Sequence, residues 1–239
     1  MHDYFAVIPA RAGSKGIPDK NMQLIGGKPM IEFTLEAALA STELGSTIVS
    51  TDSSDVTELA IEKGVNIPFK RPHNLSTDDA RTSDVIMHAL DWYKSHNNQY
   101  PINIVLLQPT SPFRTACDID QAVKMFNNSR KNNLISACEL MQHPNDCLAQ
   151  NADGRFQRVE IGSKSCSHSG RQTFCHTIFI DGAIYISSVD AFLETGEMIG
   201  EDPEIMMLPQ SHAIDIDTPF DLELARSIYK SGMLESQSL

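Results

Sequence analysis

Basic residues are scarce in this 239-residue chain. Its 19 Lys and Arg stand against 31 Asp and Glu, a formal net charge of −12. Neutralising a nucleic-acid backbone needs a surplus of positive charge, so a sequence-independent DNA or RNA binder is excluded. A polybasic membrane-surface protein is excluded on the same ground. Long apolar runs are missing too: none approaches the about 20 residues that span a bilayer. The start, Met1-His2-Asp3-Tyr4, has neither a basic n-region nor a small-residue cleavage site, so no signal peptide is expected. The five cysteines, Cys117, Cys138, Cys147, Cys166 and Cys175, are odd in number, widely spaced and without a CxxC pair. That pattern argues against a disulfide framework and against structural zinc. A cytoplasmic protein with reduced thiols is the simplest reading. Repeats, low-complexity tracts and Gly/Ser linkers are also absent, so one domain over residues 1–239 is expected.

What is present alternates between two periods. Short apolar runs at Phe5-Ala6-Val7-Ile8, Thr47 to Thr51, Ile102 to Leu107, Leu134 to Cys138 and Gly182 to Ser187 read as buried strands. Val65 to Phe69 reads as one more short strand. Helical spacing recurs over Met30–Ser41, Asp55–Lys63, Thr82–Ser95, Ile119–Phe126 and Phe220–Tyr229. Such alternation predicts an α/β fold: a mainly parallel sheet with helices on both faces and ligands beyond the carboxyl ends of the strands. From about residue 141 to 180 the rhythm fails. That polar stretch, with a turn at Asp153-Gly154, is expected to be an insertion leaving the sheet.

The chemistry concentrates after the first strand, in Ile8-Pro9-Ala10-Arg11-Ala12-Gly13-Ser14-Lys15-Gly16-Ile17-Pro18-Asp19-Lys20-Asn21. Two glycines permit a tight loop that offers backbone N–H groups to an anion. Arg11, Lys15 and Lys20 add three positive charges within ten residues. In an acidic chain this suggests a triphosphate cradle, although the segment is neither a P-loop nor a GxGxxG turn, and a plain solvated loop has the same composition. Near the other end, Asp215 and Asp217 stand two apart. In an extended segment both face one way and could share Mg²⁺, which takes one or two carboxylates together with phosphate and water. Asp217 or Thr218 could equally cap the Phe220 helix.

These segments together resemble the CMP-sialic acid synthetases, or acylneuraminate cytidylyltransferases. The resemblance is carried by Ala6-Val7-Ile8-Pro9-Ala10-Arg11 with Gly13-Ser14-Lys15-Gly16 and Lys20-Asn21, then by Ser50-Thr51-Asp52. Arg71-Pro72 with Leu75-Ser76-Thr77-Asp78 and Ala80 follows, then Leu107-Gln108-Pro109-Thr110-Ser111-Pro112-Phe113-Arg114, and finally Asp215-Ile216-Asp217-Thr218. The matches keep their order over most of the chain. The resemblance implies a Rossmann-like three-layer nucleotidyltransferase fold whose inserted arm mediates a homodimer. It implies transfer of CMP from CTP to the anomeric hydroxyl of a nine-carbon 2-keto sugar acid, with Mg²⁺ as cofactor and pyrophosphate as leaving group. Arg11, Ser14, Lys15, Lys20 and Asn21 would then handle phosphates and ribose, and Arg71, Ala80 and Thr82 would lie near the cytosine. Gln108 would meet the sugar, with Thr110, Ser111, Arg114 and Arg171 around it. Lys15, Lys20, Asp215 and Asp217 would carry the catalysis, with Asp215 and Asp217 at the metal. A cytidylyltransferase for legionaminate or another 2-keto sugar acid is the alternative, and a non-catalytic nucleotide-binding relative is a further one.

The sequence departs from the family pattern around the sugar. Arg171-Gln172 is followed by Phe174-Cys175 where relatives carry Leu-Pro. Phe179 and Asp181 replace an Arg and an Asn, and His143-Pro144 is followed by Asn145-Asp146 rather than by a Lys. A carboxylate facing the sugar's own carboxylate would be unfavourable unless paired or turned away. Cys166, His168, Cys175 and His176 cluster in the insertion without standard zinc spacing.

Overall fold

The strands owe their burial to short runs of β-branched and aliphatic residues, and the helices to apolar stripes that cover those runs from either side. The computed structural model describes residues 3–159 and 175–234. Its elements are β1 (Tyr4–Pro9), β2 (Leu24–Ile25), β3 (Lys28–Pro29), α1 (Met30–Ala40), β4 (Ser46–Ser50), α2 (Ser54–Glu62), α3 (Thr82–Asn97), β5 (Asn103–Leu106), α4 (Ala116–Asn128), β6 (Asn133–Glu139), β7 (Leu148–Gln150), β8 (Phe156–Arg158), β9 (Ile178–Ser188), α5 (Val189–Thr195), β10 (Glu204–Met207) and α6 (Pro219–Ser231). Six strands form one sheet in the order β10-β6-β9-β5-β1-β4. The pairs β1/β4, β1/β5 and β6/β10 are parallel, whereas β9 runs antiparallel to both β5 and β6.

Alternation along β1 sorts the core into two layers. Tyr4, Ala6 and Ile8 face α1, α2 and α4, packing on Ile31, Leu35, Val56 and Val123. Phe5 and Val7 face the other way, onto Ile86 and Leu90 of α3 and Phe192 of α5. A third cluster joins Ile25, Met30, Phe113 and Ile216 to Leu222 and Ala225 of α6. Helices on both faces of a mostly parallel sheet match the expected architecture. No helix of the described residues is long and apolar enough to cross a membrane.

Three local expectations change. Val65 to Phe69 forms no ladder; only isolated bridges, Ile48 to Asn66 and Thr51 to Lys70, tie that stretch to the edge strand β4 and its end. Ile178, Phe179 and Ile180 belong to the start of β9, paired with Glu139, Cys138 and Ala137 of β6 respectively, rather than to the insertion. The small hairpin β7/β8 lies outside the main sheet, with its turn at Asn151–Gly154, where Gly154 takes a left-handed φ of 78°.

Candidate active site

β1 runs to one neighbour, β4, and the chain then returns to the other neighbour, β5. Loops beyond β1 and β5 therefore diverge and leave a crevice, the usual ligand position in an open parallel sheet. A cleft of about 200 Å³ occupies that place. Arg11, Ser14, Lys20 and Asn21 line one wall, Arg71, Ala80 and Thr82 another, and Gln108 and Thr110 the floor. These nine residues, expected at a nucleotide and sugar site, are thus brought together, although they come from four separate stretches of chain.

The loop after β1 is held by its own backbone and by acids from neighbouring elements. The Ala12 N–H donates to Asp52 Oδ1 at 2.7 Å, and Asn21 Nδ2 donates to the Arg11 carbonyl at 3.1 Å. Arg11 Nη2 lies 2.6 Å from Asp78 Oδ1, and Lys15 Nζ lies 3.0 Å from Asp78 Oδ2. Lys20 turns the other way. Its Nζ donates to the Ile216 carbonyl at 2.9 Å and to Asp217 Oδ1 at 3.0 Å. The loop after β1 and the Asp-x-Asp segment therefore meet through Lys20. Gly16 makes the meeting possible, because a Cβ there would come within 2.8 Å of the Asp217 carbonyl oxygen.

On the opposite wall, Arg71 is buried at the cleft and anchored to the end of β4. Its Nε donates to Ser50 Oγ at 3.0 Å, and its Nη2 to the Ser50 carbonyl. Burial brings its pKa down to about 10. The guanidinium is thus fixed in direction by the sheet edge. Ala80 and Thr82 flank the N-terminus of α3 and contribute only small side chains to this wall.

Arg114 departs from its expected place beside a sugar. It is 2% exposed and sits beneath the loop. Nε donates to the Ala183 carbonyl at 2.8 Å, Nη1 to Thr34 Oγ1 at 2.8 Å, and Nη2 to the Gln108 carbonyl. Burial lowers its pKa to about 9, against the opposing pull of Asp181, Asp118 and Asp215. Arg114 therefore ties the Gln108 loop to β9 and α1 and does not reach the cleft. Ser111 is also sealed, its Oγ donating to the Asp181 carbonyl at 3.3 Å. Gln108 and Thr110 remain at the surface of the cleft. Arg171 lies outside the described residues, as do Cys166 and His168.

Asp181, the replacement for the family Asn, faces inward. It is wholly buried, and Oδ1 accepts from Ser136 Oγ and from the Ala183 N–H at 2.9 Å. Burial pushes its pKa above the usual carboxylate range. The anticipated clash with a sugar carboxylate is avoided because the side chain turns away. Its bonds shape a bulge opposite Ser136, where the β6/β9 register shifts and Gly182 takes φ 78°. A Cβ on Gly182 would approach Gln108 Oε1 to 2.9 Å, with Asp215 Oδ2 at 3.8 Å, so bare backbone is needed there.

Asp215 and Asp217 differ in surroundings. Asp215 is partly enclosed, and its Oδ1 is buried without a hydrogen-bond partner among the described residues. Burial raises its pKa, a bond with Thr110 opposes the rise, and Asp217 adds to it. The Asp217 side chain is 70% exposed and meets Lys20. Thr218, not Asp217, caps α6: its Oγ1 accepts from the Asp221 N–H, and Asp221 bonds back in a capping box. Asp215 Oδ1 is thus left without a partner among the described residues, while Asp217 Oδ1 is held by Lys20. The orphaned Asp215 oxygen and the all-oxygen pair suit Mg²⁺, which needs only one or two carboxylates when phosphate supplies the rest. No group of three or more His, Cys, Asp or Glu among the described residues is arranged to hold a metal ion. Cys175 and His176 therefore form no metal cluster there with their described neighbours.

A second cavity of about 320 Å³ opens on the α3 side of the sheet and shares Thr82 and Gln108 with the first. Arg81, Tyr185 and Met198 also line it, with Ile86 and Leu106 behind. Burial lifts the Tyr185 pKa to about 12, so its hydroxyl stays protonated. Sequence reasoning singled out neither Tyr185 nor Met198, because each sits in an ordinary apolar pattern. It also gave no role to Asp78, although that residue lies in a motif block, two positions before Ala80.

Three comparisons with known proteins bear on this site. A family model described as cytidylyltransferase matches residues 5–157. The chain is 34% identical to a CMP-N,N'-diacetyllegionaminic acid synthase of Legionella pneumophila, over 93% of this chain and 94% of that protein. It is 31% identical to an N-acylneuraminate cytidylyltransferase of Streptococcus agalactiae serotype V, over 90% of this chain but only 50% of that protein. A solved structure of a CMP:2-keto-3-deoxy-manno-octonic acid synthetase complexed with CTP superposes with a TM-score of 0.68 at 18% identity, covering 95% of this chain and 98% of that one.

Proposed function

This chain belongs to the cytidylyltransferase family, and we propose that it transfers CMP from CTP to the anomeric hydroxyl of a nonulosonic, sialic-type acid, releasing pyrophosphate. One observation carries the reading. Arg11 and Lys20 line a crevice whose floor is Gln108 and Thr110, Lys15 stands outside its lining on Asp78, and Asp217 pairs with Lys20 with Asp215 close by. In a chain of net charge −12, this concentrates positive charge and metal-binding oxygens around a single slot. The base of CTP is assigned to Arg71, Ala80 and Thr82, and its phosphates and ribose to Arg11, Ser14, Lys15, Lys20 and Asn21. The acceptor is assigned to the second cavity, where Gln108 faces both ligands.

Asp215 and Asp217 would hold Mg²⁺, which when bound supplies charge neutralisation along the triphosphate and the departing pyrophosphate. Arg11, Lys15 and Lys20 would orient the triphosphate for in-line attack of the sugar oxygen on the α-phosphorus. Asp217 lies on the exposed side with Lys20, and Asp215 lies toward Gln108 and Gly182; one of the two would hold the metal, and the other would bind a second metal or accept the proton of the attacking hydroxyl. Arg114 and Asp181 act through the loops they fix. N-acylneuraminate is the acceptor first expected. Diacetyllegionaminate is the second reading, favoured by the Legionella relative that matches end to end. A cytoplasmic location belongs to the same reading, as a reaction that consumes CTP would need a supply of it there. The hairpin and the start of β9 leave Leu148, Phe156 and Phe179 exposed, an apolar face suited to a second copy in a homodimer. A panel of 2-keto sugar acids with CTP, read by pyrophosphate release, tests the function. Release is expected with at least one nine-carbon acid; CTP binding without release for any acid contradicts it.

A further inference from the structure

All three cations assigned to the triphosphate already have an anion: Lys20 pairs with Asp217, and Arg11 and Lys15 share Asp78. Asp78 places Oδ1 at 2.6 Å from Arg11 Nη2 and Oδ2 at 3.0 Å from Lys15 Nζ. The cations come from the loop after β1. Asp78 comes from the facing loop between Arg71 and α3, whose Leu75, Thr77 and Ala80 line the same cleft. The contact therefore straps one wall of the cleft to the other at the phosphate end. A cleft of about 200 Å³ is small for such a ligand, since sites enclosing small molecules typically measure about 300–1,000 Å³. Arg11 and Lys15 also need their charge turned to phosphate if they are to bind it.

The strap is built to yield. The Lys15 side chain is 81% exposed and free to swing, and the Arg11 and Asp78 side chains are about one-third exposed. Ion pairs at such exposure are individually weak. A triphosphate carries several charges where Asp78 offers one, and its oxygens make the same charge-assisted bonds to guanidinium and ammonium. Lys15 first, then Arg11, hold the Asp78 carboxyl below its usual range, so it stays charged at neutral pH. Its neighbour Asp79 is exposed and makes no ion pair among the described residues.

We propose that Asp78 is a displaceable internal anion for this site. It keeps Arg11 and Lys15 oriented in the empty cleft, gives them up to the triphosphate, and takes them back as pyrophosphate leaves. It thereby weakens nucleotide binding slightly and speeds product release. This rests on the reading of the cleft as a CTP site.

The test is calorimetric binding of CTP, and separately of pyrophosphate, at fixed Mg²⁺, with stopped-flow release of pyrophosphate. Wild type, Asp78→Asn and Asp79→Asn are compared. Asp78→Asn is expected to bind both ligands about five-fold more tightly, and to release pyrophosphate more slowly by a similar factor. Asp79→Asn, with the same change of charge, is expected to match wild type. Unchanged or weaker binding by Asp78→Asn overturns the proposal, because a supporting residue would lose affinity when neutralised. A melting temperature for Asp78→Asn well below that of Asp79→Asn overturns it too, since a displaceable anion does not hold the fold. If wild type binds neither ligand, the nucleotide reading itself falls and takes the proposal with it.

Discussion

Arg114 illustrates how a motif residue can matter without touching a ligand. Its place in the Gln108–Arg114 block was legible in the sequence, and the block does form the floor of the cleft. Its direction was not legible, because a lone Arg after a proline-rich loop gives no sign of which carbonyls will surround it. Here the Gln108 and Ala183 carbonyls and Thr34 take up the guanidinium. Arg114→Met would leave those acceptors and the nearby Asp181 without their cation. Its expected cost is about 3–5 kcal/mol in unfolding free energy, measured by urea denaturation. A variant of unchanged stability that only loses affinity for the sugar would restore Arg114 to the sugar pocket. Asp181 follows the same logic. Its substitution for Asn reads as a threat to sugar binding in the sequence, and burial against Ser136 removes the threat.

Long elements with a clean period were readable: β1, β4, β5 and β6 as apolar runs, and α1 to α4 and α6 as apolar stripes. The short ones were not. β10 has four residues at the sheet edge, paired on one side only, so no alternation is enforced. α5 is a seven-residue helix whose signal is little more than its Ser188 cap. The antiparallel course of β9 is set by pairing with β5 and β6, which no local pattern encodes. The segment leading to Asp215 is irregular, and tertiary bonds hold it: the Ile216 N–H donates to the Thr110 carbonyl, and His212 Nδ1 lies 2.9 Å from Asp118 Oδ2 at the start of α4. The Asp118 bond raises the His212 pKa above 6.5, against burial. Burial alone would raise Asp118, but bonds from His212 and Thr115 bring it below 3.8. The histidine's contribution to stability is thus complete below about pH 6.5 and fades as pH rises through its raised folded value. The contribution of Asp118 is present above about pH 3.8 and fades as pH falls through its lowered one. His212→Gln is expected to cost about 1.5–3 kcal/mol at pH 6 and distinctly less at pH 9, by denaturant titration. An equal loss at both pH values would mean that the ion pair is not what fastens this segment.

At the scale of the whole molecule, charge and surface divide the work. The acidic surplus lies mostly on the solvated exterior, while Arg11 and Lys20 line one crevice and Lys15 stands outside its lining on Asp78. Among the exposed large apolar side chains, the hairpin carries Leu148 at 61% and Phe156 at 66% exposure, and the start of β9 carries Phe179. If a second copy covers that face, wild type sediments as a dimer, and Leu148→Glu with Phe156→Glu shifts it to monomer without altering helix content. A monomeric wild type at micromolar concentration would remove the arm from the account of assembly. The site itself was legible mainly through spaced motifs that the fold then brought together; the residues that sequence reasoning gave no role, Asp78, Tyr185 and Met198, depend on which loops face each other across the sheet. The claim that joins all these features is CMP transfer at this crevice. It is tested most directly by ³¹P NMR of the protein with CTP, Mg²⁺ and a nine-carbon 2-keto sugar acid. The expected spectrum shows the CTP resonances replaced by one phosphodiester signal and an equimolar amount of pyrophosphate. Unchanged CTP with every such acid, or conversion to CMP or CDP with no phosphodiester, would contradict it.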